Sequence, residues 1–242
     1  MMNRENIRLV ALDMDGTITQ HRTALEPQNR AALDALAEKY RLVIVGAGAC
    51  ARIHGQLGGY PLDVIGNYGM ETGEYDREKG GLTIVESRSV TVEPQEAVRE
   101  RVTRLRRQFG METFAGDTVE FHASGMITFP LLGTKADIRD KLAFDPDRSR
   151  RRPLYPVVKE AFSQYTVFIG GSSSFDIVPK PFNKLYALER YCARHGFARG
   201  EVVFFGDDYR EGGNDEQVYH SDFAFVTVDD YRDFPERAAV LL

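Results

Sequence analysis

Cysteine is scarce in this 242-residue chain: only Cys50 and Cys192 occur, far apart and without the close spacing of a zinc site. One disulfide would add little to a chain of this size, so both are expected as buried thiols. No apolar run approaches the ~20 residues of a membrane span, which argues against a membrane partner. Arg8 and Asp13 bracket the short run Leu9 to Leu12, so no signal-like segment is expected there, and a cytoplasmic location is the expectation. Neither sign of charge dominates. The 31 basic and 36 acidic side chains leave a net charge of −5, which disfavours nucleic acid as the main partner. Internal repeats and low-complexity tracts are absent too. What is present, 43% hydrophobic and 28% charged residues, is ordinary globular composition and excludes disordered, collagen-like and disulfide-scaffold classes. The length exceeds the usual ~100–150 residues of one domain, so a core with a large insertion, or two domains, is expected.

The order of segments supports the first choice. Ile7 to Leu12 reads as a central parallel strand, Pro27 opens a stretch where Leu33, Leu36 and Tyr40 recur at helical spacing, and Arg41 to Val45 is again a strand. A short helix near Ala51 to Leu57 and a strand Leu62 to Ile65 continue this βαβ pattern. The middle changes character: a hairpin over Glu74 to Val85 around Gly80-Gly81, a helix face at Val98, Val102, Leu105 and Phe109, and strands Thr118 to Ala123 and Gly125 to Leu131. Helices near Ala136 to Phe144 and Val157 to Tyr165, then strands Thr166 to Gly170 and Phe175 to Val178, complete an α+β block. A helix from about Asn183 to His195, strands Val202 to Phe205 and Phe223 to Val228, and a C-terminal helix restore the α/β pattern. The expectation is a discontinuous core, residues 1–80 and 184–242, interrupted by an insertion over 81–183. Arg148, Arg150, Arg151 and Arg152 form a dense basic cluster, expected as a solvated loop, with an anionic partner or substrate phosphate as the sharper alternative.

The sharpest chemical feature is Asp13-Met14-Asp15-Gly16-Thr17, directly after the first buried strand. Ligands of open α/β sheets sit beyond the carboxyl ends of strands, so both acids are expected in that crevice. Asp207-Asp208 and Gly212-Gly213-Asn214-Asp215 follow another strand of the same sheet, and Lys184 opens a helix. Several carboxylates with one lysine repel one another unless a hard cation joins them; Mg²⁺, with its oxygen ligands, suits that role.

With these residues in place the chain resembles the haloacid dehalogenase superfamily, and within it the eukaryotic-type phosphomannomutase branch with a C2-type cap. Val45-Gly46, Asn67, Gly69, Val119-Glu120-Phe121, Gly125-Met126, Gly170-Gly171, Ser174-Phe175-Asp176, Lys184 and Phe204-Phe205-Gly206-Asp207 carry the likeness. The spacing of Asp207 and Asp215, eight residues, matches the mutase branch. The resemblance implies a Rossmann-like parallel-sheet core with an inserted α+β cap and an aspartyl-phosphate intermediate. It gives Asp13 as nucleophile and Asp15 as the acid and base. It implies Mg²⁺ on Asp13, the Asp15 carbonyl, Asp207 and Asp215, with Asn214 supporting, and Lys184 balancing charge. Arg22, Ser174 and Asp176 match substrate-contacting positions, and Gly46 and Gly48 lie in the phosphoryl-binding loop. A small phosphorylated substrate and a homodimer through the cap are implied as well.

Two departures shape the functional expectation. Superfamily members place Ser or Thr after the second core strand to bond the phosphoryl oxygen, whereas Val43 to Cys50 has neither and Gly48 stands there. Backbone N–H groups of 46–49, or Thr17, are the expected substitutes; loss of one aimed donor commonly lowers rate by about 10²–10³. Mutases also grip a distal phosphate with cap arginines, where this chain has His122, Thr134 and Lys141, none of which offers a bidentate fork. Hydrolysis of a small phosphorylated metabolite such as a sugar phosphate is therefore favoured over phosphomutase action. The alternatives are a catalytically weak regulatory relative, and a dinucleotide-binding protein suggested by Gly46-Ala47-Gly48-Ala49-Cys50-Ala51.

Overall fold

The branched apolar run after Arg8 forms strand β1 (Leu9–Leu12), with all four residues buried. The structure is a computed structural model describing residues 4–91 and 93–242. After β1 come α1 (Pro27–Ala37), β2 (Arg41–Val45), α2 (Cys50–Gln56), β3 (Asp63–Gly66), β4 (Glu71–Asp76) and β5 (Gly81–Ser87). Next are α3 (Gln95–Gln108), β6 (Glu120–Phe121), β7 (Ile127–Pro130), α4 (Ile138–Phe144), α5 (Tyr155–Ala161), β8 (Tyr165–Phe168) and β9 (Ser174–Pro179). The chain ends through α6 (Lys184–His195), β10 (Val202–Gly206), α7 (Glu216–Tyr219), β11 (Ala224–Thr227) and α8 (Phe234–Ala238). No helix among the described residues is long and apolar enough to cross a membrane.

These elements form two units: one runs to Arg88 and resumes over 183–210 and 215–242, the other spans 89–182 with 211–214. The first holds a seven-stranded sheet in the order β11-β10-β1-β2-β3-β4-β5. β11, β10, β1, β2 and β3 are parallel, while β4 and β5 are antiparallel additions at one edge. Period-two alternation sends Val10, Leu12, Leu42 and Ile44 to one face, against Leu33 and Leu36 of α1 and Phe234 of α8. Leu9, Ala11, Val43 and Val45 go to the other, against Leu188 and Tyr191 of α6. Burial on both faces explains why these strands read as continuous apolar runs. Because β5 pairs with β4 through the Gly80 turn (φ +67°), the first unit extends past residue 80 to Arg88.

The second unit has an antiparallel sheet, β6-β7-β9-β8, with Val98, Val102 and Leu105 of α3 and Val158 of α5 in its core. Two of its strands are shorter than the sequence suggests: only Glu120–Phe121 and Ile127–Pro130 pair around the turn at Gly125. The basic cluster is also corrected. Arg151 is buried, not solvated: its Nε donates to Asp145 Oδ2 (2.7 Å), and Nη1 to the carbonyls of Gly170 (2.6 Å), Gly171 (3.1 Å) and Ser174 (2.9 Å). A fully bonded guanidinium ties the 145–152 loop to the start of β9, whereas Arg150 is exposed.

Candidate active site

β1 and β10 are parallel neighbours, so the residues leaving both strands emerge at one sheet edge. Asp13 extends that pairing by donating its N–H to the Phe205 carbonyl (2.9 Å). Gly16 then turns the chain at φ +104°, and a Cβ there would lie 2.6 Å from Asp207 Oδ2, so conformation and space both require glycine. The Thr17 hydroxyl donates to Asp207 Oδ1 (3.0 Å), so in this structure its proton is engaged with a carboxylate.

Lys184 is the first residue of α6, a helix capped by Asn183, whose side chain accepts from the Tyr186 N–H (2.8 Å). A lysine in a helix's first turn opposes the macrodipole, so its placement needs compensation. Two carboxylates supply it: Nζ lies 2.6 Å from Asp13 Oδ1 and 2.7 Å from Asp215 Oδ1, with the lysine side chain wholly buried. Burial pulls the ammonium down, but Asp13 and Asp215 outweigh it and hold Lys184 above the ordinary lysine range. Burial likewise pushes Asp215 up, opposed by Lys184. Asp215 also accepts from the Asp208 N–H (3.1 Å), and its own N–H donates to the Asp208 carbonyl (3.0 Å).

Asp13, Asp207 and Asp215 bring carboxylate oxygens within 4.8 Å of one another. Three carboxylates against one lysine leave an excess of negative charge in a largely buried place, and all the donors are hard oxygens. That set fits a hard divalent cation. The Asp15 carboxylate stands apart from this cluster, accepting from the Arg22 N–H (2.9 Å) and Gln56 Nε2 (2.8 Å). Only the Asp15 backbone carbonyl is then left as that residue's contribution to a metal. Arg22 holds Asp15 through its main chain (φ +58°), and its own side is exposed.

The loop after β2 is partly committed to structure. The Gly46 N–H donates to the Ile65 carbonyl (2.8 Å), continuing the β2–β3 ladder, so this N–H is engaged in the sheet. The Gly48 carbonyl accepts from the Asn67 N–H (2.8 Å). Where a Gly48 side chain would stand lies the guanidinium of Arg52, and Arg52 Nη1 bonds Gln56 Oε1 (2.8 Å). Sequence reasoning missed both Arg52 and Gln56. Their signal is the i, i+4 spacing on a helix that opens directly after the glycine loop.

Ser174, Asp176 and Asn214 belong to the second unit; for Asn214 this departs from the expected core segment. Ser174 Oγ donates to the Gly170 carbonyl (3.0 Å), and Asp176, two residues along β9, shares its face. The positions compared with mutase arginines are engaged inside this unit. His122 Nε2 pairs with Thr128 Oγ1 (2.9 Å), Thr134 Oγ1 accepts from the Asp117 N–H (2.9 Å), and Lys141 Nζ donates to the Thr134 carbonyl (2.9 Å).

Comparison with known proteins gives the family and the fold. A family model described as eukaryotic phosphomannomutase matches residues 30–233. A phosphomannomutase of Encephalitozoon cuniculi is 27% identical over 94% of the chain and 90% of its own length. One from Saccharomyces cerevisiae is 28% identical over 87% and 84% respectively. Among solved structures, an IMP-bound IMP-nucleotidase of Plasmodium falciparum superposes with a TM-score of 0.67 at 14% identity, covering 98% of this chain and 68% of that one. A haloacid dehalogenase-like hydrolase from Bacteroides thetaiotaomicron gives 0.56 at 14% identity, covering 98% and 100%. These structural likenesses show the fold alone: a mostly parallel α/β core with a further α+β unit.

Proposed function

The chain belongs to the eukaryotic phosphomannomutase family, and from that premise we propose that it is a cytoplasmic, Mg²⁺-dependent enzyme that passes the phosphoryl group of a sugar phosphate through Asp13 to water. The observation that carries the phosphoryl-transfer reading is the buried Lys184 between Asp13 and Asp215, with Asp207 in the same cluster. Asp13, Asp207, the Asp15 carbonyl and Asp215 would hold the cation; when bound, it supplies compact positive charge that offsets carboxylate repulsion and draws electron density from phosphoryl oxygens.

The chain's own groups account for the two half-reactions. An oxygen of Asp13 attacks phosphorus, the ester P–O bond breaks, and Asp15 gives its proton to the departing sugar oxygen. Lys184 orients Asp13 and stabilises the charge gathering on the phosphoryl group. Asp15, now ionised, takes a proton from water as that water's oxygen attacks phosphorus and the bond to Asp13 breaks. Arg22 and Gln56 keep the Asp15 carboxylate in place through both halves.

Water as acceptor is supported by the second unit. At the positions compared with the mutase arginines stand His122, Thr134 and Lys141, each engaged internally, and none presents a bidentate fork for a second phosphate. Sugar phosphomutase action is the second reading, favoured by the family match itself. A panel of hexose 1-phosphates and 6-phosphates with Mg²⁺, scored for free phosphate and for isomerised ester, separates the two. Isomerised product exceeding free phosphate overturns the hydrolase reading. A dinucleotide is disfavoured, because the Cys50 N–H at the start of α2 already donates to the Glu71 carboxylate (2.6 Å), which would repel a pyrophosphate. The homodimer suggested by the resemblance is checked by light scattering of the eluting protein.

A further inference from the structure

We propose that Arg52 supplies the phosphoryl-oxygen contact that residue 48, a glycine, does not. The inference rests on the phosphoryl-transfer reading above and assigns to it a binding residue. β2 is the register neighbour of β1, with Leu12 opposite Ile44, so the loop leaving β2 emerges beside the segment that carries Asp13. A Cβ built on Gly48 would lie 2.1 Å from Arg52 Nη2, 2.3 Å from Nε and 2.5 Å from Cζ. The guanidinium thus fills the volume a serine or threonine side chain would take. Glycine at 48 and arginine at 52 are one arrangement: the missing side chain makes room for the cation.

The guanidinium is positioned, yet among the described residues it keeps donors unused by protein acceptors and stays partly exposed. Nη1 donates to Gln56 Oε1 (2.8 Å) and lies 3.7 Å from Asp15 Oδ2, while Gln56 Nε2 donates to Asp15 Oδ1 (2.8 Å). Among the described residues, Nη2 and Nε donate to no protein acceptor. With 43% of its side chain exposed, Arg52 differs from the sealed Lys184 and can meet a ligand. A guanidinium N–H is a charged donor, and it bonds a phosphoryl oxygen more strongly than a hydroxyl does. Asp15, the group that hands a proton to the leaving oxygen, shares Gln56 with Arg52, which ties phosphoryl grip to acid placement.

The test measures orthovanadate binding with Mg²⁺ by titration calorimetry, alongside phosphate release. Arg52→Ala is expected to weaken vanadate about tenfold or more and to lower kcat, with Arg52→Lys between it and the parent. Adding Gly48→Ser to Arg52→Ala, where the new hydroxyl has room, is expected to recover a large part of both. Vanadate affinity unchanged within about twofold in Arg52→Ala, or no recovery in the double variant, overturns the assignment and leaves the phosphoryl-transfer reading standing. Vanadate binding that depends on Arg52 in a protein that turns over no phosphate ester overturns that reading while the assignment holds. A parent protein that binds no vanadate overturns the assignment directly.

Discussion

Replacing Lys184 with methionine isolates the electrostatics of the site. The lysine side chain is fully buried and bridges Asp13 and Asp215 at 2.6 and 2.7 Å, so its loss leaves two carboxylates with oxygens within 4.8 Å and no local cation. Two unit charges at ~4.8 Å in an effective dielectric of ~20 repel by about 3–4 kcal/mol. That agrees with the about 3–5 kcal/mol typical of breaking a buried pair. Urea unfolding at pH 8 in EDTA should therefore show Lys184→Met less stable by about 3–5 kcal/mol. The deficit should shrink as pH falls. Burial already holds Asp215 above its ordinary range, and without Lys184 it rises further, so the native state binds a proton that the unfolded chain does not. Stability is then gained below the raised native value and lost as pH climbs through it. Mg²⁺ should restore part of the loss, and so should Asp215→Asn in the same chain, which removes the repulsion. A loss below about 1 kcal/mol, or one that is the same at pH 5 and pH 8, would refute this reasoning.

Asp13→Asn should lower phosphate release by on the order of 10⁴ or more with the urea midpoint little changed, read from kinetics and melts together. Arg151→Ala should destabilise by about 3–5 kcal/mol because it strands buried Asp145, whereas Arg150→Ala should stay within about 0.5 kcal/mol; paired denaturation curves distinguish them. Burial pushes the thiols of Cys50 and Cys192 up to about 12, so neither should react with a disulfide reagent in the native protein at pH 8, and both should react at once in guanidinium.

Sequence reading found the parts whose signal is local. β1 was legible because a strand covered on both faces needs an uninterrupted apolar run, and Asp13 and Asp15 because carboxylates at such a strand end are costly without a use. Lys184 stood out only beside the acids of other segments. The misreadings arise where partners are distant or spatial. Arg151 looked solvated among its arginine neighbours, yet its burial depends on Asp145 and on carbonyls near β9. β5 looked like the start of the insertion because the Gly80 turn precedes it, while pairing with β4 assigns it to the large sheet. The Gly46 N–H looked available since no local pattern reveals its bond to Ile65. Arg52 carries no motif at all; its meaning lies in the space that Gly48 leaves open.

Trapping the covalent intermediate tests the central claim most directly. The protein, mixed with Mg²⁺ and a hexose phosphate it turns over, is quenched with borohydride, which reduces an acyl phosphate of aspartate to homoserine, and the peptide spanning residues 9–22 is sequenced by mass spectrometry. Homoserine at position 13, absent without substrate, is the expected result. An unmodified Asp13 during turnover, or homoserine at Asp15, Asp207 or Asp215 instead, would contradict it.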